Sequence, residues 1–118
     1  DALNSLGYTL ADKTDRFQEA FELISKALSI RPDDPAFIDS MGWVLFQQGK
    51  PEEALPYLEK AESKLTEPDP TILDHLGDVY LALDRLPSAK ESFQKSLEIE
   101  FSEQVFEKWN RLLDGSVQ

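Results

Sequence analysis

Apolar residues recur along this chain three or four positions apart, the spacing of a helix that buries one face. Leu3, Leu6, Leu10 and Ala11 predict a first helix from Ala2 to about Ala11. Asp12-Lys13-Thr14-Asp15 is a polar turn in which Thr14 or Asp15 is placed to cap the next helix. That helix carries Phe17, Ala20, Phe21, Ile24, Ala27 and Leu28 on one side and stops before Pro32. Asp34-Pro35 and Asp69-Pro70 are helix starts, with Asp as the cap and Pro in the first turn, where no amide donor is needed. The helix after Asp34 runs to Gln48, and Gly49 offers a left-handed stop. Pro51-Glu52-Glu53 opens a fourth helix to about Leu65, with two acids at the positive end of its dipole. A fifth runs from Pro70 to about Leu83, and a sixth from Pro87 to near Ile99. Ser102 caps a seventh through Leu113, ended by Gly115, and the last four residues are expected to fray. On this seventh helix Val105, Phe106, Trp109, Leu112 and Leu113 form an apolar stripe, with Glu103, Glu107, Lys108 and Arg111 expected outside. Each candidate for strand alternation is short and lies inside a stronger helical run.

The pattern repeats. Gly7, Gly42 and Gly77 are 35 residues apart each time, and Ala20, Ala54 and Ala89 follow in step. A fixed period of this length marks stacked helical hairpins, each with an apolar face that it cannot bury alone. The glycines fall where the two helices of a hairpin must approach closely, so that a side chain there overpacks the contact. Ile24, Leu58 and Phe93 fill the wider gaps, and Ala27, Ala61 and Ser96 allow close approach toward the following hairpin.

In order of recurrence the motif stands as Leu3/Leu6/Gly7/Leu10, Ile38/Met41/Gly42/Leu45 and Leu73/Leu76/Gly77/Tyr80, each followed by the alanine and the bulky residue. This resembles the tetratricopeptide repeat family over about residues 2–100. The resemblance implies an all-α, right-handed superhelical array within one domain, 1–118. Its hairpins cover about 2–33, 34–67 and 69–101, and a capping helix covers about 102–114. The sequence departs from the family pattern in an extra residue between Gly7 and Ala20, in a closing proline delayed to Pro68, and in Ser96 and Phe101 where the third repeat usually has alanine and proline. The stretch Ala2–Asp12, followed by Asp39-Ser40-Met41-Gly42-Trp43, also resembles the C-terminal repeats of large bacterial repeat proteins. Some of those are outer-membrane lipoproteins that act as adaptors for periplasmic proteases or envelope assembly. The absence of a cap before the first helix suggests a fragment from the C-terminal end of a longer array.

Charge narrows the partners. The net charge of −11 repels phosphate backbones and anionic lipid, which disfavours nucleic acid and membrane surfaces. No run of 18 apolar residues is present to insert into a bilayer. Without cysteine there is no disulfide, thiolate metal site or thiol nucleophile, and either redox compartment suits the chain. Localisation is periplasmic or membrane-anchored through upstream sequence if the adaptor resemblance holds, and otherwise cytoplasmic.

The resemblance further implies a concave groove lined by the first helix of each hairpin. Carried over to this sequence, its lining is Asn4, Tyr8 and Ala11, then Asp39, Trp43, Phe46 and Gln47, then Asp74, Asp78 and Leu81. Tyr8, Trp43 and Asp78 are equivalent, as are Asn4, Asp39 and Asp74. Aromatic anchors beside carboxylates suit a peptide with apolar and basic residues. Family members that grip a C-terminal carboxylate use Lys, Arg and Asn in this groove, and of these only Asn4 is present. His75, the single histidine, neighbours Asp74 and Asp78, but no nucleophile or phosphate loop accompanies it, so it reads as a packing or surface residue. Asp39, Asp74 and Asp78 lack the further oxygen ligands that a hard cation needs. The expectation is a non-catalytic protein-interaction scaffold without metal or cofactor. The alternative is a structural module that extends a longer superhelix or forms a homo-oligomer through its N-terminal helix.

Overall fold

The computed structural model describes residues 1–114, and the fraying expected of Gly115–Gln118 lies outside the described residues. Among the described residues there are seven helices and no strand: α1 (Ala2–Lys13), α2 (Phe17–Ile30), α3 (Pro35–Gln47), α4 (Pro51–Ser63), α5 (Pro70–Ala82), α6 (Leu86–Ile99) and α7 (Glu103–Asp114). They form two compact units, one ending at Leu65 and one beginning at Thr66. The first holds the hairpins α1–α2 and α3–α4. The second holds the hairpin α5–α6 and the single helix α7.

Helix starts follow their capping chemistry. The Asp34 carboxylate accepts from the amides of Ala36 and Phe37, and the Asp69 carboxylate accepts from those of Thr71 and Ile72, with proline next in both. Asp1 caps α1 in the same way through Leu3 and Asn4. The α2 start departs from expectation, because its cap position is Arg16, which makes no side-chain cap bond. Thr14 instead bridges the turn, its hydroxyl donating to the Leu10 carbonyl at 2.6 Å and accepting from the Arg16 amide at 3.0 Å. That hydroxyl closes a carbonyl near the end of α1, which reaches Lys13, two residues beyond the predicted end. In the next two hairpins the turn uses positive φ: Gly49 at 81° and, 35 residues on, Asp84 at 61°.

The repeated glycines do what their period predicts. A Cβ on Gly7 would lie 2.6 Å from Ile24 Cγ1, one on Gly42 2.9 Å from Leu58 Cδ2, and one on Gly77 closer still to the ring of Phe93. Ile24, Leu58 and Phe93 thus sit directly over the glycines, and all three are fully buried with Ala20, Ala54 and Ala89 beside them. Ser96 is buried, and its hydroxyl donates 2.8 Å to the Pro70 carbonyl at the start of α5, a bond that satisfies the one polar group at an otherwise alanine position.

The first unit's core gathers Leu10, Ala11, Ala20, Ile24, Met41 and Val44, with Leu23 and Leu28 against it. The second gathers Ala89, Phe93 and Val105, with Tyr80, Leu81, Leu97, Trp109 and Leu112 against it. At the N-terminal end Leu6 is half exposed. α7 packs on the last hairpin through Val105, Trp109 and Leu112, but two residues of its expected apolar stripe, Phe106 and Leu113, are 39% and 49% exposed. Lys108, expected outside, turns inward onto α5.

Candidate functional site

In the first unit the predicted groove residues lie on α1 and α3. Trp43 is buried rather than open: its indole N–H donates 3.2 Å to Asp12 Oδ1, and its ring stacks on Phe46 at 5.1 Å between centroids. One turn on, the Gln47 side-chain amide donates 3.3 Å to the Ala11 carbonyl. Trp43 and Gln47 therefore tie α3 to the C-terminal end of α1. Asp39 and Ala11 are also buried. Asn4, Tyr8, Phe46 and Gln47 stay partly open to solvent. Asn4 Oδ1 is buried without a hydrogen-bond donor among the described residues.

In the second unit Asp74 and Asp78 lie one turn apart on α5, and one ammonium joins them. Lys108 Nζ lies 2.8 Å from Asp74 Oδ1 and 2.8 Å from Asp78 Oδ1, and 5.0 Å from the centre of the Phe93 ring. Phe93 is the residue seated over Gly77, so the ring packs the hairpin and also receives the cation. The three charged side chains keep 17–27% of their surface exposed. Burial pushes the Asp78 carboxyl above its usual range, further than the Lys108 charge and hydrogen bond draw it down, and Asp74 adds to the rise. Burial pulls the Lys108 ammonium down, but Asp78 and the hydrogen bonds from both carboxylates outweigh it, and the net shift is upward. The two directions agree, because two desolvated carboxylates share one cation and one negative charge is left over.

The chemistry expected of this acidic pair is thus present, but its occupant is a lysine of the same chain. The sequence reading missed Lys108 because it treated the charged residues of α7 as a solvent face. Val105, Lys108 and Leu112 follow at three and four residues, which puts Lys108 in line with the buried side of the helix. Leu81, the remaining predicted residue, packs against the second core. His75 is 4% exposed and sits inside the unit, as a packing residue does.

Comparison with known proteins agrees with the hairpin geometry. Tetratricopeptide repeat models match residues 1–34, 37–61 and 70–103. The chain belongs to the tetratricopeptide repeat family. Over 77 residues, 65% of the chain, it is 53% identical to a TPR repeat-containing protein of Pseudomonas aeruginosa, and it spans 13% of that relative's length. The first TPR of Spaghetti (RPAP3), bound to the HSP90 peptide SRMEEVD, superposes with a TM-score of 0.85 at 17% identity, covering 99% of this chain and 92% of that one. The TPR2AB domain of yeast Sti1 in its pHSP90 complex gives 0.80 at 21% identity, covering 98% and 46%. The TPR protein TTC0263 of Thermus thermophilus gives 0.71 at 23% identity, covering 95% and 59%. At these identities the solved structures share the fold, and the family is one of interaction modules, with no enzymatic family indicated.

Proposed function

We propose that this chain is a non-catalytic protein-binding module whose α1–α3 face takes a polypeptide segment. The observation that carries the reading is the pair of partly open aromatic residues on that face, Tyr8 and Phe46, with partly open Asn4 one turn before Tyr8 on α1. Aromatic side chains supply contact area at low entropy cost. The HSP90 peptide complex of RPAP3 and the pHSP90 complex of Sti1 support the class of ligand. Their particular peptide is a poor model for the guest. SRMEEVD is acidic, whereas no Lys or Arg occupies the inferred groove positions here and the chain carries −11. Apolar guests flanked by Lys or Arg fit better. On this reading Trp43 positions Phe46 and is a poor probe of contact, since its loss also loosens α3 from α1.

A peptide array spanning apolar and basic sequences, probed with wild type and with Tyr8→Ala and Phe46→Ala, tests the proposal. Binding weakened about tenfold by each variant, with helicity unchanged, is the expected result. Peptides retained equally by both variants would move the site off this face.

A further inference from the structure

A short extended link joins α7 to the hairpin before it. Helix α6 ends at Ile99, Glu100 is extended at φ −150° and ψ 123°, and Phe101 is exposed before α7 begins at Glu103. On the inner side of α7 Val105 is buried, and partly buried Trp109 and Leu112 pack against the same cluster as Ala89 and Phe93. Two features of this interface oppose its closure. The Trp109 indole N–H is buried without an acceptor among the described residues, and water would supply one once it is exposed. Burial also costs the Asp78 carboxylate more than Lys108 returns to it. Against them stands the ionic clasp, in which Lys108 Nζ reaches from α7 to lie 2.8 Å from a carboxylate oxygen of Asp74 and of Asp78 on α5. Those two carboxylates hold the repeat positions at which Asn4 and Tyr8 stand partly open on α1. In the closed form Lys108 therefore engages on α5 the positions that α1 presents to solvent.

We propose that α7 is a gate that opens about the Glu100–Ser102 link while the α5–α6 hairpin stays folded, and that Lys108 sets how often the Asp74–Asp78 pair is presented. The parts of the hairpin do not depend on the gate, since Phe93 keeps its seat over Gly77 whether or not Lys108 lies against its ring. Opening rehydrates both carboxylates and gives the indole a hydrogen bond, which offsets the loss of the clasp and of the apolar contact. A helix of 12 residues is marginal in water by itself, so that α7 melts when it opens and its amides exchange. The gate involves α5, α6 and α7 alone and stands apart from the α1–α3 face proposed above for a polypeptide.

Hydrogen exchange of the 118-residue chain, followed by NMR at rising low urea, tests the gate. The amides of Glu107–Asn110, inside α7, are expected to exchange at least about tenfold faster than those inside α5 and α6, with little dependence on urea, because a local opening exposes little surface. Val79→Ala changes a fully buried residue of α5 outside the cluster that seats α7. It is expected to speed exchange in α5 and α6 about tenfold and to leave α7 unchanged. Lys108→Met is expected to speed exchange in α7 at least about tenfold. Exchange of α7 that tracks α5 and α6 in urea, or that follows Val79→Ala, overturns the gate, because all three helices then open together. Exchange of α7 that ignores Lys108→Met overturns it as well, by removing the clasp from its control.

Discussion

Trp43 and Asp78 hold the same position in successive repeats, one residue after the glycine, and the two units close that position by opposite means. In the first unit an indole is buried, stacked on Phe46 and hydrogen-bonded to Asp12. In the second a carboxylate is neutralised by Lys108, which arrives from the following helix. The glycine seat beside each is unchanged. The comparison teaches that the repeat fixes the contact within a hairpin and leaves the adjoining face free to vary in chemistry, provided that something satisfies it.

Substitutions at the two positions should separate them sharply. Trp43→Ala removes a buried aromatic and is expected to cost about 3–5 kcal/mol. Asp78→Ala leaves Lys108 paired with Asp74 and ends the desolvation of a carboxylate, so its cost should stay near or below about 1 kcal/mol. Urea unfolding followed by circular dichroism measures both, and equal losses would end the contrast.

Lys108→Met probes the ionic closure from its other side. It strands two partly buried carboxylates, at an expected cost of about 2–3 kcal/mol, below that of a fully buried pair because water still reaches all three groups. The pH dependence has a definite sign. Lys108 is raised above 10.5, so its contribution is complete below that value and is lost as the pH climbs through the higher folded value. Asp78 is raised above 3.8, so its own contribution is complete below 3.8 and is lost as the pH rises through its folded value. Alkaline titration of stability should therefore show a loss above pH 10.5 in wild type that Lys108→Met lacks.

The smallest effect tests the shared element. Gly77→Ala forces a methyl against the fully buried Phe93 ring, at about 1–3 kcal/mol, partly offset by about 1 kcal/mol of helix propensity. Gly42→Ala meets Leu58 less closely, at 2.9 Å, and should cost less. Thermal unfolding of the two variants ranks them, and the reverse order would mean that the seats are not alike.

These positions also show what could be read from the sequence. The hairpins were legible because a glycine, an alanine and a bulky residue at fixed spacing encode one close helix contact, which is local in sequence. The caps at Asp34 and Asp69 were legible because a short side chain reaches only its own first turn. The fate of Lys108 was not, because it depends on two carboxylates 30 and 34 residues earlier. It also lies on the edge of an apolar stripe too wide for one contact. The burial of Trp43 was hidden for the same reason: its partner Asp12 lies 31 residues upstream and reads as a turn residue. Position in a repeat told where a side chain starts, and the neighbouring hairpin decided whether it stayed open.

The glycine seats have a kinetic consequence. Gly7 meets Ile24, Gly42 meets Leu58 and Gly77 meets Phe93, so each central contact closes a loop of only 16 or 17 residues. Short loops lose little entropy on closing, and chains rich in such contacts cross low folding barriers. Each hairpin can therefore zip without waiting for the others. A hairpin emerging from the ribosome can bury its bulky residue over its own glycine before the next one is synthesised.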